Sequence, residues 1–173
     1  MGFLKNRIWS WGYILDKVPG PAPFTFEKTR CSLETQSAYL GAERTFYMNS
    51  MFSREHIEKS FPEWDPEIID NCIDNRLSDM HLNRLKNMKE IFCTLEHDNY
   101  LESALRIAKL SLKYKNITGI HFDDFCAARG AKKALPELHD KIKEINPELK
   151  IAIVTYSFWD QEDYKDTAQY VPG

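Results

Sequence analysis

Ile117-Thr118-Gly119-Ile120-His121-Phe122-Asp123-Asp124 decides the fold. Ile120 and Phe122 are apolar and alternate with Gly119, His121 and Asp123, the period-two pattern of a β-strand with two different faces. Before it, Asn99 to Lys115 carries Leu101, Leu105, Ala108 and Leu112 at spacings of three and four, which predicts an amphipathic helix. After it, a second helix is expected over 131–145, ended by Asn146-Pro147, and a further strand over Leu149–Ser157. Helix, strand, helix, strand in strict alternation is the signature of a parallel sheet with helical crossovers.

The pattern extends toward the N-terminus. Ile8–Ile14 reads as a first strand, and Pro19, Pro21 and Pro23 exclude helix and central strand in the turn-rich stretch after it. Ser32 is placed to cap a helix running to Leu40, and Gly41 is a natural stop. Arg44–Ser50 reads as the second strand. The polar stretch Ser53–Asp65 is broken by Pro62. Pro66 then opens a long helix to Asn87, with Ile69, Ile73, Leu77, Met80, Leu82 and Leu85 on one stripe. Lys89–Glu96 is the third strand, and a last helical piece is expected over 160–170. The expected fold class is α/β: parallel (β/α) units forming a partial TIM barrel of five strands, one domain over residues 1–173. A complete barrel takes about 250 residues, so the C-terminal units are expected to be missing. The alternative, an open doubly wound sheet, gains no support, because no strand is followed by a glycine-rich phosphate loop.

Composition sets outer limits. The 173 residues are 43% apolar and 28% charged, enough for one sizeable core. A net charge of −3 gives no general attraction to nucleic acid or anionic lipid. No signal peptide and no membrane span is recognisable in the chain, which implies a cytoplasmic location if it is complete. Cys31, Cys72, Cys93 and Cys126 form no C-x-x-C pair and are expected as reduced, buried thiols.

Inward-facing strand positions near the C-terminal end are where a barrel keeps its chemistry. On the third strand Ile91, Cys93 and Leu95 form the helix-facing set, leaving Phe92, Thr94 and Glu96 inward. On the fourth, Gly119, His121 and Asp123 face inward; on the fifth, Ala152, Val154 and Tyr156. On the second strand Phe46 and Met48 are assigned to the helices, leaving Thr45, Tyr47 and Asn49 inward. The strand ends thus gather Asn49, Glu96, His121, Asp123 and Tyr156 at one opening, with Asp124 just beyond. Glu96 and Asp123 are the candidate catalytic carboxylates, since glycoside cleavage needs one protonated and one ionised carboxyl across the bond. Trp9, Trp11, Asn49, His121, Asp124 and Tyr156 are the candidate substrate-binding residues; 13% of the chain is aromatic, and aromatic faces stack on the C–H faces of sugars. Plainer roles compete: Glu96 beside the helix start at Asn99 suits a cap, and His121 suits packing. His56, His81 and His139 sit in charged helices and are expected in solvent. His121, Asp123 and Asp124 together offer ligands compatible with a divalent cation, a weaker reading; no cofactor is expected.

Leu110 to Phe125 resembles the fourth strand of glycoside-hydrolase-like TIM barrels, in which a helix ends in an aromatic-x-Asn turn and runs into Ile-Thr-Gly and a closing Asp-Asp-Phe. Lys150–Tyr156 looks like the next strand of those barrels, and Trp9-Ser-Trp-Gly12 fits their opening. The resemblance implies a barrel acting on carbohydrate. The segment is also similar to the chitinase-type strand Asp-Gly-x-Asp-x-Asp-x-Glu, but aligned on Gly119 only Asp123 carries over. Phe125 stands where that motif has its proton-donating Glu, which argues against chitinase chemistry. Three function classes follow: a carbohydrate-active hydrolase, a non-catalytic sugar-binding or degenerate barrel, and a metal-dependent hydrolase or small open-sheet binding protein. Five units leave an edge strand open, through which the chain is expected to self-associate.

Overall fold

The computed structural model describes residues 8–12, 32–49, 52–66, 69–70, 74–125, 130–155 and 167–171. Five strands form one parallel sheet: β1 (Trp9–Gly12), β2 (Arg44–Tyr47), β3 (Glu90–Thr94), β4 (Ile117–Phe122) and β5 (Lys150–Ile153). Their order in space is their order in sequence. A doubly wound sheet reverses its strand order at a switch point; this sheet does not, so right-handed crossovers carry the chain around one face. It is an α/β fold with the strand order of a barrel's first five units. Among the described residues, β1 and β5 are the two edges.

The helices with described bounds are α1 (Leu33–Leu40), α2 (Arg54–Ser60), α3 (Asp79–Arg84), α4 (Tyr100–Lys113) and α5 (Ala131–Ile145). One apolar core joins them to the sheet. Tyr47, Ile91, Cys93, Ile117, Ile120, Phe122 and Ile151 supply the strand side, and Leu33, Ile107, Leu135, Leu138 and Ile142 the helix side. Each large apolar side chain buried there contributes about 1.5–3 kcal/mol. Cys93 is a free, fully buried thiol, and burial pushes its pKa up to about 12, so it is inert packing. Cys31, Cys72 and Cys126 lie outside the described residues.

Local sequence explains several boundaries. Gly41 ends α1 in the left-handed conformation, φ 65°, as expected of a C-terminal stop. The buried stripe of α4 is Tyr100, Ser103, Ala104, Ile107, Ala108 and Ser111, rotated from the expected leucine stripe; Leu112 is exposed. Small residues let α4 lie close to its neighbours. Its serines cost little because each hydroxyl donates to a carbonyl one turn back, Ser103 to Asn99 at 2.8 Å and Ser111 to Ala108 at 2.7 Å.

Between β2 and β3 the polar stretch after Ser53, for which no element is expected, holds α2, whose start Ser53 caps by accepting from the His56 amide. The long helix expected over 66–87 is broken: a 3₁₀ turn spans Asp74–Leu77 and α3 restarts after Ser78. His81 is buried, not in solvent. Tyr156 and most of the helical piece expected over 160–170 lie outside the described residues, and 167–170 form turns.

Gly119 fixes the middle of the sheet. A Cβ there would sit 2.3 Å from the Phe92 ring, which lies flat over β4 and is hemmed in by Trp9 and Phe46 at centroid distances of 5.2 and 5.6 Å. Gly119→Ala is therefore expected to cost about 1–3 kcal/mol in urea unfolding, with Phe92→Leu restoring part of it. A loss below about 0.5 kcal/mol would show that the ring has somewhere to go.

Candidate functional site

The face of the sheet turned away from the core, here called the inner face, is built in layers that follow the strand register. Trp9, Arg44 and Glu90 are neighbours across β1, β2 and β3 at the N-terminal end. Arg44 binds Glu90 at 2.9 Å, and its guanidinium lies 5.8 Å from the Trp9 ring centroid. The next layer runs Trp11, Phe46, Phe92, Gly119. Trp9, Phe46 and Phe92 form a mutual aromatic cluster with centroids 4.9 to 5.6 Å apart. Trp11 is 51% exposed at the edge. The third layer is Thr94, His121 and Ala152, and Asp123 continues the inward positions of β4 toward the C-terminal end.

β2 is inverted relative to the expectation. Phe46 faces inward, where its ring meets His121 edge-on at 5.1 Å. Tyr47 faces the helices and donates its hydroxyl to the Arg76 carbonyl at 2.7 Å, and Thr45 donates to the Ser10 carbonyl. An inner face with an aromatic middle takes the apolar residue of β2, and the polar ends of Tyr47 and Thr45 find backbone partners on the other side. On β3 and β4 the expected assignment of Phe92, Thr94, Gly119 and His121 agrees with the structure.

His121 is fully buried. The Thr94 hydroxyl donates to the Tyr47 carbonyl at 3.0 Å, lies 3.1 Å from the Met48 sulfur, and sits 3.3 Å from His121 Nε2. The Thr94 hydroxyl thus fixes the Nε2 edge of the ring, while Nδ1 is buried without a hydrogen-bond partner. Burial holds the ring neutral, lowering its pKa to about 4 against the opposing pull of the Phe92 and Cys93 backbone. Asn49, 1% exposed just past β2, likewise has neither amide atom hydrogen-bonded. Buried polar groups are nearly always paired, by protein, water or ligand, so these three atoms mark places where a further polar group belongs.

Asp123 is buried, and Asp124 is half-buried with φ 49°, a left-handed conformation uncommon outside glycine and favoured by Asp and Asn. Beyond them Phe125 packs into the core, edge-on to Phe122. Glu96 departs from its expected position. β3 ends at Thr94, and the Glu96 carboxylate turns to the Arg106 guanidinium of α4. Its environment is divided: burial raises its pKa, while Arg106 lowers it. Glu96 is therefore not an open carboxylate but one half of an ion pair with Arg106. Arg106→Gln would leave the Glu96 carboxyl buried without its cation. We expect a loss of about 1 kcal/mol at pH 7 that shrinks toward pH 4, where Glu96 takes up a proton. Urea unfolding at both pH values checks this.

The rim contains residues that strand alternation did not single out. Asp98 accepts from the Ser53 backbone at 2.8 Å and binds the Ser53 hydroxyl, tying the loop after β3 to the start of α2. The Phe52 ring stacks on His56 at 4.5 Å and meets His97 edge-on at 5.5 Å. These positions are set by loops, where no period is available to reveal them; the only sequence signal is the Glu96-His-Asp98 run. Among the described residues, no group of three or more His, Cys, Asp or Glu is placed to hold a metal ion, and no helix is long and apolar enough to cross a membrane. No protein-family model, curated protein or solved structure matches the chain.

Proposed function

We propose that this chain is a carbohydrate-active domain of the glycoside-hydrolase type, with sugar seated at the C-terminal end of the inner face and Asp123 as the reacting carboxyl. One juxtaposition carries the proposal: an aromatic layer made of Trp11, Phe46 and Phe92 lies beside a buried ring nitrogen without a hydrogen-bond partner, His121 Nδ1, two residues before Asp123 in the chain. Sugar sites need both an apolar platform for C–H faces and a few fixed polar atoms for hydroxyls. A hydroxyl paired with Nδ1 would satisfy the ring without charging it. Asp123, about 6–7 Å further along the chain, would then stand near a bond of the seated sugar. Glu96 would enter the reaction only on leaving Arg106, so the first assignment is to Asp123.

The Glu96–Arg106 pair favours a second reading, a sugar-binding domain without catalysis, because it occupies one of the two carboxylates that glycoside cleavage requires. Binding tests what the two readings share. Tryptophan emission of the full-length protein, titrated with a panel of oligosaccharides, should change saturably with at least one. Trp11→Ala should weaken that binding about tenfold, equivalent to about 1.4 kcal/mol. Equal binding by wild type and variant would remove Trp11 from the platform.

A further inference from the structure

A cleft lies at the opposite end of the sheet from Asp123. It has a volume of about 360 Å³ and is bounded by Glu90, Lys115, Thr118, Asn146, Glu148 and Lys150. That volume is at the lower end of the range for small-molecule sites. A barrel usually keeps its stabilising contacts at this end, which makes a polar cleft there unusual.

Thr118 is aimed by an irregularity in the sheet. Ile91 pairs with Ile117, but the next residue of β3, Phe92, pairs with Gly119, so Thr118 is the extra residue of a bulge. Bulges redirect a side chain that would otherwise point into one of the two faces. Here the side chain lines the cleft, and its Oγ1 is buried without a hydrogen-bond partner. The charges around it are unevenly matched. Glu90 is held by Arg44 at 2.9 Å, which leaves Lys150 at 3.6 Å from its other oxygen. Lys115 makes no ion pair among the described residues. Arg44 neutralises Glu90 from outside the lining, so within the cleft Lys115 and Lys150 face Glu148 and an already paired Glu90. Asn146 stiffens one wall by donating to Ser111 Oγ at 2.8 Å and accepting from the Glu148 amide at 3.1 Å.

We propose that this basal cleft binds a small oxyanion, the phosphate or carboxylate group of a compact molecule, between the ammonium groups of Lys115 and Lys150 with the Thr118 hydroxyl donating to it. An oxyanion supplies the one missing negative charge and the acceptor that Thr118 lacks. The site is independent of the sugar reading at the other end, and the outcome of an oligosaccharide titration leaves it untouched.

Amide NMR spectra of the full-length protein, titrated separately with sodium phosphate and sodium acetate at constant ionic strength, test the proposal. Saturable shifts at Lys115, Thr118 and Lys150 are expected with one of the two, and the anion that saturates identifies the group. Lys115→Gln and Thr118→Val, which leave the core intact, should each weaken that binding about tenfold. The proposal is overturned if neither anion saturates, if sodium chloride or glycerol reproduces the shifts, or if neither variant weakens binding.

Discussion

An Asp123→Asn variant of the full-length protein is expected to bind oligosaccharide as wild type does and to release product at about 10²- to 10⁴-fold lower rate, the usual cost of losing a group that moves a proton in the transition state. The substitution keeps size and shape and removes the ability to ionise. The aromatic layer and His121, which would hold the sugar, are left as they are. Binding and turnover should therefore separate, with tryptophan emission unchanged and reducing ends no longer released. Turnover within about twofold of wild type would show that Asp123 is a structural residue at the end of β4, and weakened binding with unchanged turnover would make it a contact for the sugar alone.

The other large effect is on stability against pH. Burial lowers the His121 pKa to about 4 in the folded chain, against about 6.5 for an ordinary imidazole. Between these values the unfolded chain binds a proton that the folded chain refuses, so stability rises with pH across that window and is flat on either side. The gap, at about 1.4 kcal/mol per pH unit, amounts to about 3 kcal/mol lost between pH 6.5 and pH 4. Glu96 acts in the opposite sense, because burial raises its pKa and favours the folded state at low pH. The contribution of His121 is isolated by comparison with His121→Gln, which cannot charge. The difference in unfolding free energy between wild type and variant should change by about 3 kcal/mol across pH 4–6.5. Parallel profiles would mean that the buried ring finds a stabilising partner once protonated.

Sequence reading succeeded where one strand presented two chemically distinct faces. β3 and β4 carry Ile91, Cys93, Ile120 and Phe122 on one side and Thr94, Gly119 and His121 on the other, and alternation sorts them without ambiguity. On β2 both sides carry an aromatic ring. Phe46 and Tyr47 are separated only by the partners available to the Tyr47 hydroxyl, and the Arg76 carbonyl that takes it lies 29 residues away in sequence. Alternation also stops where a strand stops. Glu96 is two residues past the end of β3, and its direction is set by Arg106 on α4 rather than by the pleat. Asn49 is likewise two residues past β2. The broken helix between β2 and β3 failed for a related reason: its apolar positions fit one stripe, yet Ser78 restarts the chain and Met80 ends exposed while His81 is buried. The barrel order of the strands was legible because nothing in the sequence offered the phosphate loop of the alternative. The carbohydrate chemistry rests on fewer residues, chiefly Trp11, His121 and Asp123.

The central claim is that the C-terminal end of the inner face seats a sugar beneath Asp123. Its most direct test is reducing-end release by the full-length protein across an oligosaccharide panel, recorded together with tryptophan emission. The account predicts release from at least one oligosaccharide, with a saturable emission change in the same sample. No release and no emission change with any member of the panel would contradict it.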